Sequence, residues 1–301
     1  MSLRLLSLLF SFVVCGPARA DAVYRFVLVY DHDARELAES YVSIMRSTEP
    51  FRSLGKQVDI KLQEGTVDAM DCHPGCAGVE RFICCSPLGI AGIAAPLNPN
   101  RILVFTSVAA GGATGAYPVA GVGYPPTTQF HEMLHTFGFT DEYDFTGGEL
   151  KANCPQKRSQ NVSCFPPKPR YANDRTARAV HMQEIPWFSS IEDGTLITNS
   201  GQTLLGTGKG YPWNKAALYQ GGGCNKVSPC WRPYVTTIMR DLSSPDPIVP
   251  PYFQQKIRQQ MESELGQRFF SVRRPLQGAP PAKKPDSPPA KEPESGARKA
   301  E

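Results

Sequence analysis

Two histidines four residues apart, His131 and His135, are the strongest chemical signal in this sequence. At that spacing, one turn of a helix, both imidazoles can reach a single metal ion. Glu132 lies beside the same face, where its carboxylate could contact a water next to the metal without binding the metal itself. The segment therefore predicts a catalytic metal site with Glu132 as general base. The alternative interpretation is a core helix whose histidines are only hydrated.

The residues after the second histidine supply a candidate third ligand. Gly138 can adopt the left-handed conformation that ends a helix in a sharp turn, and that turn would return Asp141 to the metal. His131, His135 and Asp141 would then hold one catalytic Zn²⁺, because three protein ligands with one open position are typical of catalytic zinc sites. A second possibility takes the third ligand from a later glutamate such as Glu184, although Gly138 and Asp141 favour the first.

A helix must present these side chains, and the sequence predicts its bounds. Residues 125–126 are both proline and would end the preceding element, after which Thr127 or Thr128 could act as the N-cap. One apolar stripe recurs at i, i+3, i+4 and i+7, at Phe130, Met133, Leu134 and Phe137. This stripe predicts that one face of the helix packs on the core while the histidines occupy another.

Strand and helix patterns alternate before this helix. Strands are predicted at residues 24–30, 58–62 and 101–107, with a helix after the first strand that ends near Arg46. This order favours a mixed α/β fold, a twisted mixed sheet with the active-site helix packed on it. The stretch 109–124 is rich in glycine and alanine and is expected to be flexible. A closing helix is predicted at 252–266.

The first twenty residues have the pattern of an export signal. Arg4 precedes a short apolar run at 5–14, and Ala-Arg-Ala at 18–20 forms a cleavage site before Asp21. We therefore expect a secreted or periplasmic protein, without stable membrane insertion because the apolar run is too short to span a bilayer. Lipid anchoring through Cys15 is the less favoured alternative.

Charge and motifs exclude several functional classes. The formal net charge is +4, and it falls to +2 when the two arginines of the signal segment are removed. A value so close to neutral favours neither nucleic acid nor a membrane surface as a partner. The chain has no GxSxG motif, so a serine hydrolase finds no support. The expected partner is a protein or peptide substrate, and the expected state is a monomer.

Cysteine usage agrees with export. Of nine cysteines one leaves with the signal segment, and an even number remains, as expected for disulfides in an oxidising compartment. The alternative is a second, structural zinc site at the first group, Cys72, Cys76, Cys84 and Cys85. Local pairings, Cys154 with Cys164 and Cys224 with Cys230, are expected for the others.

The extended pattern HExxHxxGxxD resembles the metzincin signature, with Asp141 where most members carry a third histidine. The resemblance implies a methionine-containing turn beneath the metal, for which Met239 in the segment 237–241 is the candidate. It also implies that substrate binds as an extra antiparallel strand along a sheet edge. That edge is predicted at Val104, Phe105, Thr106 and Ser107.

Two further features follow from the same resemblance. Asp241 stands where many metzincins have the tyrosine that stabilises the oxyanion, and Tyr143 or Tyr234 is the candidate substitute. Glu142 has no predicted role, so its replacement by alanine is expected to leave zinc occupancy largely intact, unlike replacement of Asp141.

Several segments together resemble a secreted metallopeptidase family named for an immunoglobulin A peptidase. They include the Asp-Glu-Tyr ending of the metal motif, Glu49-Pro50-Phe51, RILVFTSVAAGGATG at 101–115, Ile185-Pro186-Trp187, LYQGGG at 218–223, Trp231-Arg232-Pro233 and Ile238-Met239-Arg240. The likeness covers most of residues 22–270 and implies a zinc endopeptidase, without implying that this chain cleaves immunoglobulin. The alternative is an exported binding protein with a metallopeptidase fold and no turnover, which the presence of Glu132 disfavours.

The predicted organisation has three parts. A signal peptide at 1–20 precedes a catalytic domain at 21–272, and a tail follows at 273–301. The domain divides at residue 139 into an N-terminal subdomain and a loop-rich, disulfide-bonded C-terminal subdomain at 140–272. The tail is rich in proline, lysine and glutamate and cannot bury enough apolar surface to offset the entropy of ordering, so we expect it to be disordered.

Overall fold

The structure is a computed structural model that describes residues 23–75, 79–145, 154, 158–165, 171–198, 212, 214–244 and 246–266. All of them belong to the first of two units into which the chain divides, Met1–Phe269 and Phe270–Glu301. The predicted signal peptide and tail lie outside the described residues. Among the described helices, none combines the length and apolar character needed to cross a membrane.

Strands and helices alternate in the first half of the chain. They are β1 Tyr24–Tyr30, α1 Arg35–Ser47, α2 Phe51–Leu54, β2 Val58–Glu64, α3 Val67–Met70, β3 His73–Pro74, β4 Ile83–Cys84, α4 Pro87–Ala94, β5 Arg101–Thr106, β6 Ala113–Thr114, β7 Pro118–Gly121 and α5 Pro126–His135. The second half holds shorter elements and the closing helix, namely β8 Ser163–Cys164, α6 Asp174–His181, β9 Tyr219–Gln220, β10 Cys230–Arg232 and α7 Pro251–Leu265. The predicted first, second and third strands and the closing helix are confirmed to within two residues.

The main sheet has the strand order β2-β1-β5-β7-β6. Its first four strands are parallel, and β6 pairs antiparallel with β7. In this register Leu28 of β1 lies between Leu62 of β2 and Leu103 of β5. The prediction of a mixed α/β fold with a mixed sheet is therefore confirmed.

Both faces of this sheet are covered, which explains why β1 is apolar from Phe26 to Val29. Phe26 and Leu28 point into a large core formed with α1, α2, α5 and α7. Val27 and Val29 point to the opposite face and pack in a second core with Met70, Ile90 and Ala94 of α3 and α4. Parallel strands buried on both faces typically show such continuous runs instead of an alternating pattern.

The glycine- and alanine-rich stretch 109–124, which was expected to be flexible, contains the strands β6 and β7, which the sequence did not predict. A glycine is required at the end of β7 because the chain is crowded there. A Cβ on Gly121 would lie 2.0 Å from the carbonyl oxygen of Val108. The lack of a side chain at Gly121 thus reflects close packing. Because glycine, alanine and proline have low β-propensity, the sequence did not predict this strand.

The sheet order also corrects the predicted substrate edge. Val104, Phe105 and Thr106 of β5 pair with β7 on one side, and β5 pairs with β1 on the other. These residues are buried, and Ser107 is fixed by hydrogen bonds to the Asp31 carboxylate. The predicted edge strand is therefore an interior strand, and the edge strands of this sheet are β2 and β6.

Disulfides join distant parts of the second half. The bonds are Cys154–Cys224 and Cys164–Cys230, so the predicted local pairings are wrong. The physical reason is strand pairing, since Cys164 of β8 lies directly opposite Cys230 of the antiparallel strand β10.

The cysteines of the first group are bonded as well. Cys72 pairs with Cys85, and Cys84 is also in a disulfide. These three residues therefore do not form the alternative zinc site, while Cys76 lies outside the described residues. Disulfides at these positions fit an oxidising compartment.

We expect peptide mapping under non-reducing conditions to recover cross-linked fragments joining 154 to 224 and 164 to 230. The two bonds span 70 and 66 residues, and links of that length contribute about 4 kcal/mol each in the chain-entropy model. Reduction should therefore lower the melting temperature strongly. Recovery of fragments joining 154 to 164 would contradict the observed pairing of β8 with β10.

Candidate metal centre

Helix α5 begins directly at the two prolines. Pro125 is the N-cap and Pro126 the first helical residue, where a missing N–H costs nothing. Thr127 and Thr128 lie inside the first turn and are buried, so neither is the cap that the sequence predicted. The four residues of the predicted apolar stripe are fully buried, as expected, at Phe130, Met133, Leu134 and Phe137.

Gln129 attaches this helix to the sheet, a role that its sequence pattern did not predict. Its amide Nε2 donates to the carbonyl oxygens of Val104, at 3.0 Å, and Pro118, at 3.1 Å. The helix is thus fixed to β5 and β7 two residues before the first histidine. This attachment positions the helix relative to the sheet edge at β6.

The structure brings the three predicted ligands together. The ligand atoms of His131, His135 and Asp141 lie within 4.8 Å of one another, so the cluster could hold a metal ion. Oδ1 of Asp141 is 2.8 Å from Nε2 of His131 and 3.4 Å from Nε2 of His135. His131 is buried, and the side chains of His135 and Asp141 are mostly covered.

Backbone carbonyls fix the orientation of both rings. Nδ1 of His131 lies 3.0 Å from the carbonyl oxygen of Ile238, and Nδ1 of His135 lies 3.0 Å from that of Phe139. Each Nδ1 must carry the proton to donate to a carbonyl, so in the neutral ring Nε2 presents a lone pair to the cluster. Such partners are typical of histidines that bind metals through Nε2.

The cluster fits a cation. Two Nε2 lone pairs converge on Oδ1 of Asp141, and this buried oxygen accepts no hydrogen bond from any described residue. With both rings neutral, three acceptors would face one another and repel, and either a proton on an imidazole or a bound metal ion removes that repulsion. Two imidazoles and one carboxylate are a donor set that suits a divalent transition-metal ion.

The pKa values of the cluster also favour a positive charge between the ligands. Burial lowers the pKa of His135, but the adjacent Asp141 carboxylate, with help from Glu132 and the Phe139 carbonyl, raises it to about 9, so a proton supplies the positive charge when no metal ion is bound. Burial raises the pKa of Asp141, and interactions with both imidazoles outweigh it and hold the pKa far below the ordinary value. The site therefore favours positive charge at its centre.

Glu132 lies beside the cluster and is not part of it. Its Oε2 is 3.9 Å from Nε2 of His135, and its side chain is 12% exposed. A carboxylate at this distance can reach a water next to the metal while remaining outside the ligand set. The structure thus separates the predicted base from the predicted ligands.

Gly138 makes the turn that the sequence predicted. Its φ of 79° lies in the left-handed region, and its N–H donates to the carbonyl oxygen of His135 at 2.9 Å. The chain then reverses, which places the Phe139 carbonyl on His135 and Asp141 on both rings. Gly138 therefore positions the candidate ligand Asp141 and also the Phe139 carbonyl that orients His135.

Met239 lies in a tight turn next to the cluster. The N–H groups of Arg240 and Asp241 both donate to the Thr237 carbonyl oxygen, at 3.0 Å, and Met239 is fully buried. The preceding residue, Ile238, supplies the carbonyl that orients His131. The segment 237–241 is thus a buried methionine-containing turn that contacts a candidate ligand through its backbone.

Glu142 connects the ligand loop to this turn, and sequence reasoning gave it no role. It is fully buried, and its carboxylate accepts from Thr237 Oγ1 at 2.8 Å and from Asn161 Nδ2 at 3.0 Å. Its N–H donates to the Met239 carbonyl oxygen at 2.8 Å. Burial raises its pKa to about 7, although Arg232 and these hydrogen bonds lower it.

The backbone at Gly222 also lies close to Glu142. A Cβ on Gly222 would lie 3.3 Å from the Glu142 carbonyl oxygen, and the φ of Gly222 is 106°. The side-chain amide of Asn161 also bonds to the backbone of Thr140. Its Oδ1 accepts from the Thr140 N–H, and its Nδ2 donates to the Thr140 carbonyl oxygen, at 2.8 Å each. In the sequence, the only sign of a role for Glu142 was its position directly after a predicted ligand. The side chains that bond to its carboxylate are 19 and 95 residues away along the chain, so the sequence could not reveal them.

The structure changes the expectation for Glu142. Replacement by alanine leaves buried donors on Asn161 and Thr237 without an acceptor, a loss of about 3 kcal/mol in unfolding free energy. We also expect a roughly 10–100-fold weaker metal affinity, as for outer-shell residues of other metal sites. Glu142→Gln, which keeps one acceptor and the volume, should lose less of both. Unchanged stability and metal affinity in Glu142→Ala, measured by denaturation and chelator competition, would contradict this role.

The two candidate tyrosines lie in different surroundings. Tyr234 is buried, and its hydroxyl accepts from the Tyr252 N–H at 3.2 Å. The ring of Tyr143 stacks near His131, with centroids 6.3 Å apart, and burial and the adjacent Asp141 carboxylate raise the pKa of its hydroxyl. Tyr143 is therefore the tyrosine that the structure places at the candidate metal centre.

Glu184, the alternative third ligand, has another partner. Its carboxylate pairs with Nδ1 of His181, whose Nε2 is 2.5 Å from the Tyr171 hydroxyl. Among the described residues, the cluster that could hold a metal ion contains Asp141 and not Glu184. The interpretation based on Gly138 and Asp141 is thus the one that the structure supports.

The chain matches no protein-family model and no curated protein. The geometry of the candidate metal centre is therefore the basis for a functional proposal.

Proposed function

We propose that this protein is an exported zinc-dependent endopeptidase. The observation that carries the proposal is the convergence of His131, His135 and Asp141 on one point, with the carboxylate of Glu132 beside it. The fixed rings, the Asp141 oxygen that faces both imidazoles and the buried turn at Met239 support it. A metzincin-like arrangement accounts for these features together. A non-catalytic binding role is disfavoured by the placement of Glu132.

The residues divide the chemistry between them. A zinc ion held by the two imidazoles and the Asp141 carboxylate would polarise the scissile carbonyl and acidify the attacking water. Glu132 accepts the proton of that water and delivers it to the amine of the leaving peptide. The Tyr143 hydroxyl, whose ring stacks near His131, could donate a hydrogen bond to the oxyanion.

The substrate would bind along β6. In the described part of the chain this strand has a neighbour on one side only, and it follows directly after Gly112, where a Cβ would meet the Glu132 side chain. An extended peptide could pair with the free edge of β6 through backbone hydrogen bonds, with side-chain pockets adding selectivity. Protein or peptide segments in extended conformation are thus the proposed substrates.

Metal-dependent cleavage of a peptide library tests the proposal. The purified protein should cleave internal peptide bonds, lose this activity with 1,10-phenanthroline and regain it when Zn²⁺ is restored. The non-chelating isomer 1,7-phenanthroline is the matched control and should have no effect. Cleavage that resists metal removal, or no cleavage of any peptide by zinc-loaded protein, would refute the assignment.

A further inference from the structure

Gly112 lies directly against the side chain of Glu132. A Cβ built on Gly112 would lie 2.8 Å from both Cγ and Oε1 of Glu132 and 3.1 Å from Cδ. Contacts below about 3 Å are essentially never seen for real Cβ atoms, so any side chain here would displace the carboxylate. The φ of Gly112 is outside the left-handed region, so space and not backbone conformation requires the glycine.

The neighbouring glycines do not share this contact. A Cβ on Gly111 would meet the Arg81 carbonyl oxygen at 3.3 Å and the Tyr124 ring at 3.7 Å, and one on Gly115 would meet no atom within 4 Å. Neither glycine is held in the left-handed region. Of these three residues, only Gly112 contacts the base. Gly115 is therefore a matched control in the same segment.

We propose that Gly112 is a positioning residue, whose missing side chain leaves the space in which the Glu132 carboxylate faces the metal ligands. This inference rests on the proposed function, in which Glu132 is the general base. The Glu132 carboxylate is confined between Gly112 on one side and Nε2 of His135, 3.9 Å away, on another. Gly112 thereby sets which part of the glutamate's torsional range is accessible.

The position of the contact decides what a substitution does. The atoms that a new Cβ would meet belong to the mobile end of Glu132, so the clash is relieved by rotation of that side chain. The rotation leaves the fold and the three ligands in place. It moves the carboxylate away from the point where it must accept a proton, and a misplacement of about 1 Å can cost 10²-fold in rate.

Gly112→Ala, with Gly115→Ala as control, tests the proposal by kinetics. We expect kcat of Gly112→Ala to fall about 10²-fold, with KM, zinc content and melting temperature unchanged, and Gly115→Ala to match the unsubstituted protein. Retention of full kcat in Gly112→Ala would overturn the proposal. So would a large loss of zinc or of thermal stability, which would show that Gly112 supports the fold instead.

Crystal structures of both variants give a readout that needs no activity. In Gly112→Ala the Glu132 carboxylate should move away from its position beside His135, while His131, His135 and Asp141 stay in place. An unmoved Glu132 would overturn the positioning role whether or not any peptide is cleaved. If Glu132 is displaced in Gly112→Ala but the unsubstituted zinc-loaded protein cleaves no peptide, the steric role of Gly112 stands and the endopeptidase assignment is refuted.

Discussion

Replacement of Glu132 by alanine or glutamine is expected to abolish almost all peptide hydrolysis while one zinc ion remains bound. Glu132 lies 3.9 Å from Nε2 of His135, outside the cluster of ligand atoms, so its loss removes a proton acceptor and no metal ligand. General bases typically contribute 10²–10⁴-fold to a rate, so we expect kcat to fall at least about 10³-fold. Glutamine is the sharper variant, because it keeps the shape of the side chain and cannot accept the proton.

Zinc content and hydrolysis must be measured on the same preparations. Glu39→Gln, at an exposed position on α1, is the matched control and should leave both unchanged. If Glu132→Gln lost its zinc, Glu132 would be a ligand. If it kept its activity, another group would be the base.

Replacement of Asp141 by alanine is expected to weaken zinc binding by more than the roughly 10–100-fold typical of outer-shell residues. Its Oδ1 is the atom on which both imidazole nitrogens converge, and it is the only carboxylate oxygen in the cluster. Loss of that charge leaves two neutral ligands, which bind a dication weakly. Hydrolysis should disappear with the metal.

Chelator competition measures this affinity directly. Asp241→Ala is the matched control, because Asp241 is exposed at the end of the buried turn and its carboxylate accepts hydrogen bonds from Ser243. Glu142→Gln provides a second comparison one residue from the ligand. If Asp141→Ala bound zinc strongly and Glu142→Gln did not, the third ligand would be Glu142 and not Asp141.

The features predicted correctly from the sequence are those encoded over short distances. His131, His135, Gly138 and Asp141 fall within eleven residues, and a helix followed by a left-handed glycine brings them together with little help from the rest of the chain. The stripe through Phe130 and Phe137 likewise follows from helical periodicity alone. The same is true of the apolar strand at 24–30.

The features that were missed depend on long-range packing. Whether β5 is an edge or an interior strand is decided by β7, whose small residues give little strand signal. The pairing of Cys164 with Cys230 depends on β8 meeting β10 across 66 residues. Glu142 could be recognised only once Asn161 and Thr237 were seen to surround it.

Anomalous diffraction at the zinc absorption edge, from crystals of the purified protein, tests the central claim most directly. We predict one strong peak bonded to Nε2 of His131, Nε2 of His135 and Oδ1 of Asp141, with the Glu132 carboxylate nearby and not bonded. A zinc ion bound elsewhere, for example at His181 and Glu184, or crystals grown with zinc that show no peak at this cluster, would contradict the proposed metal centre.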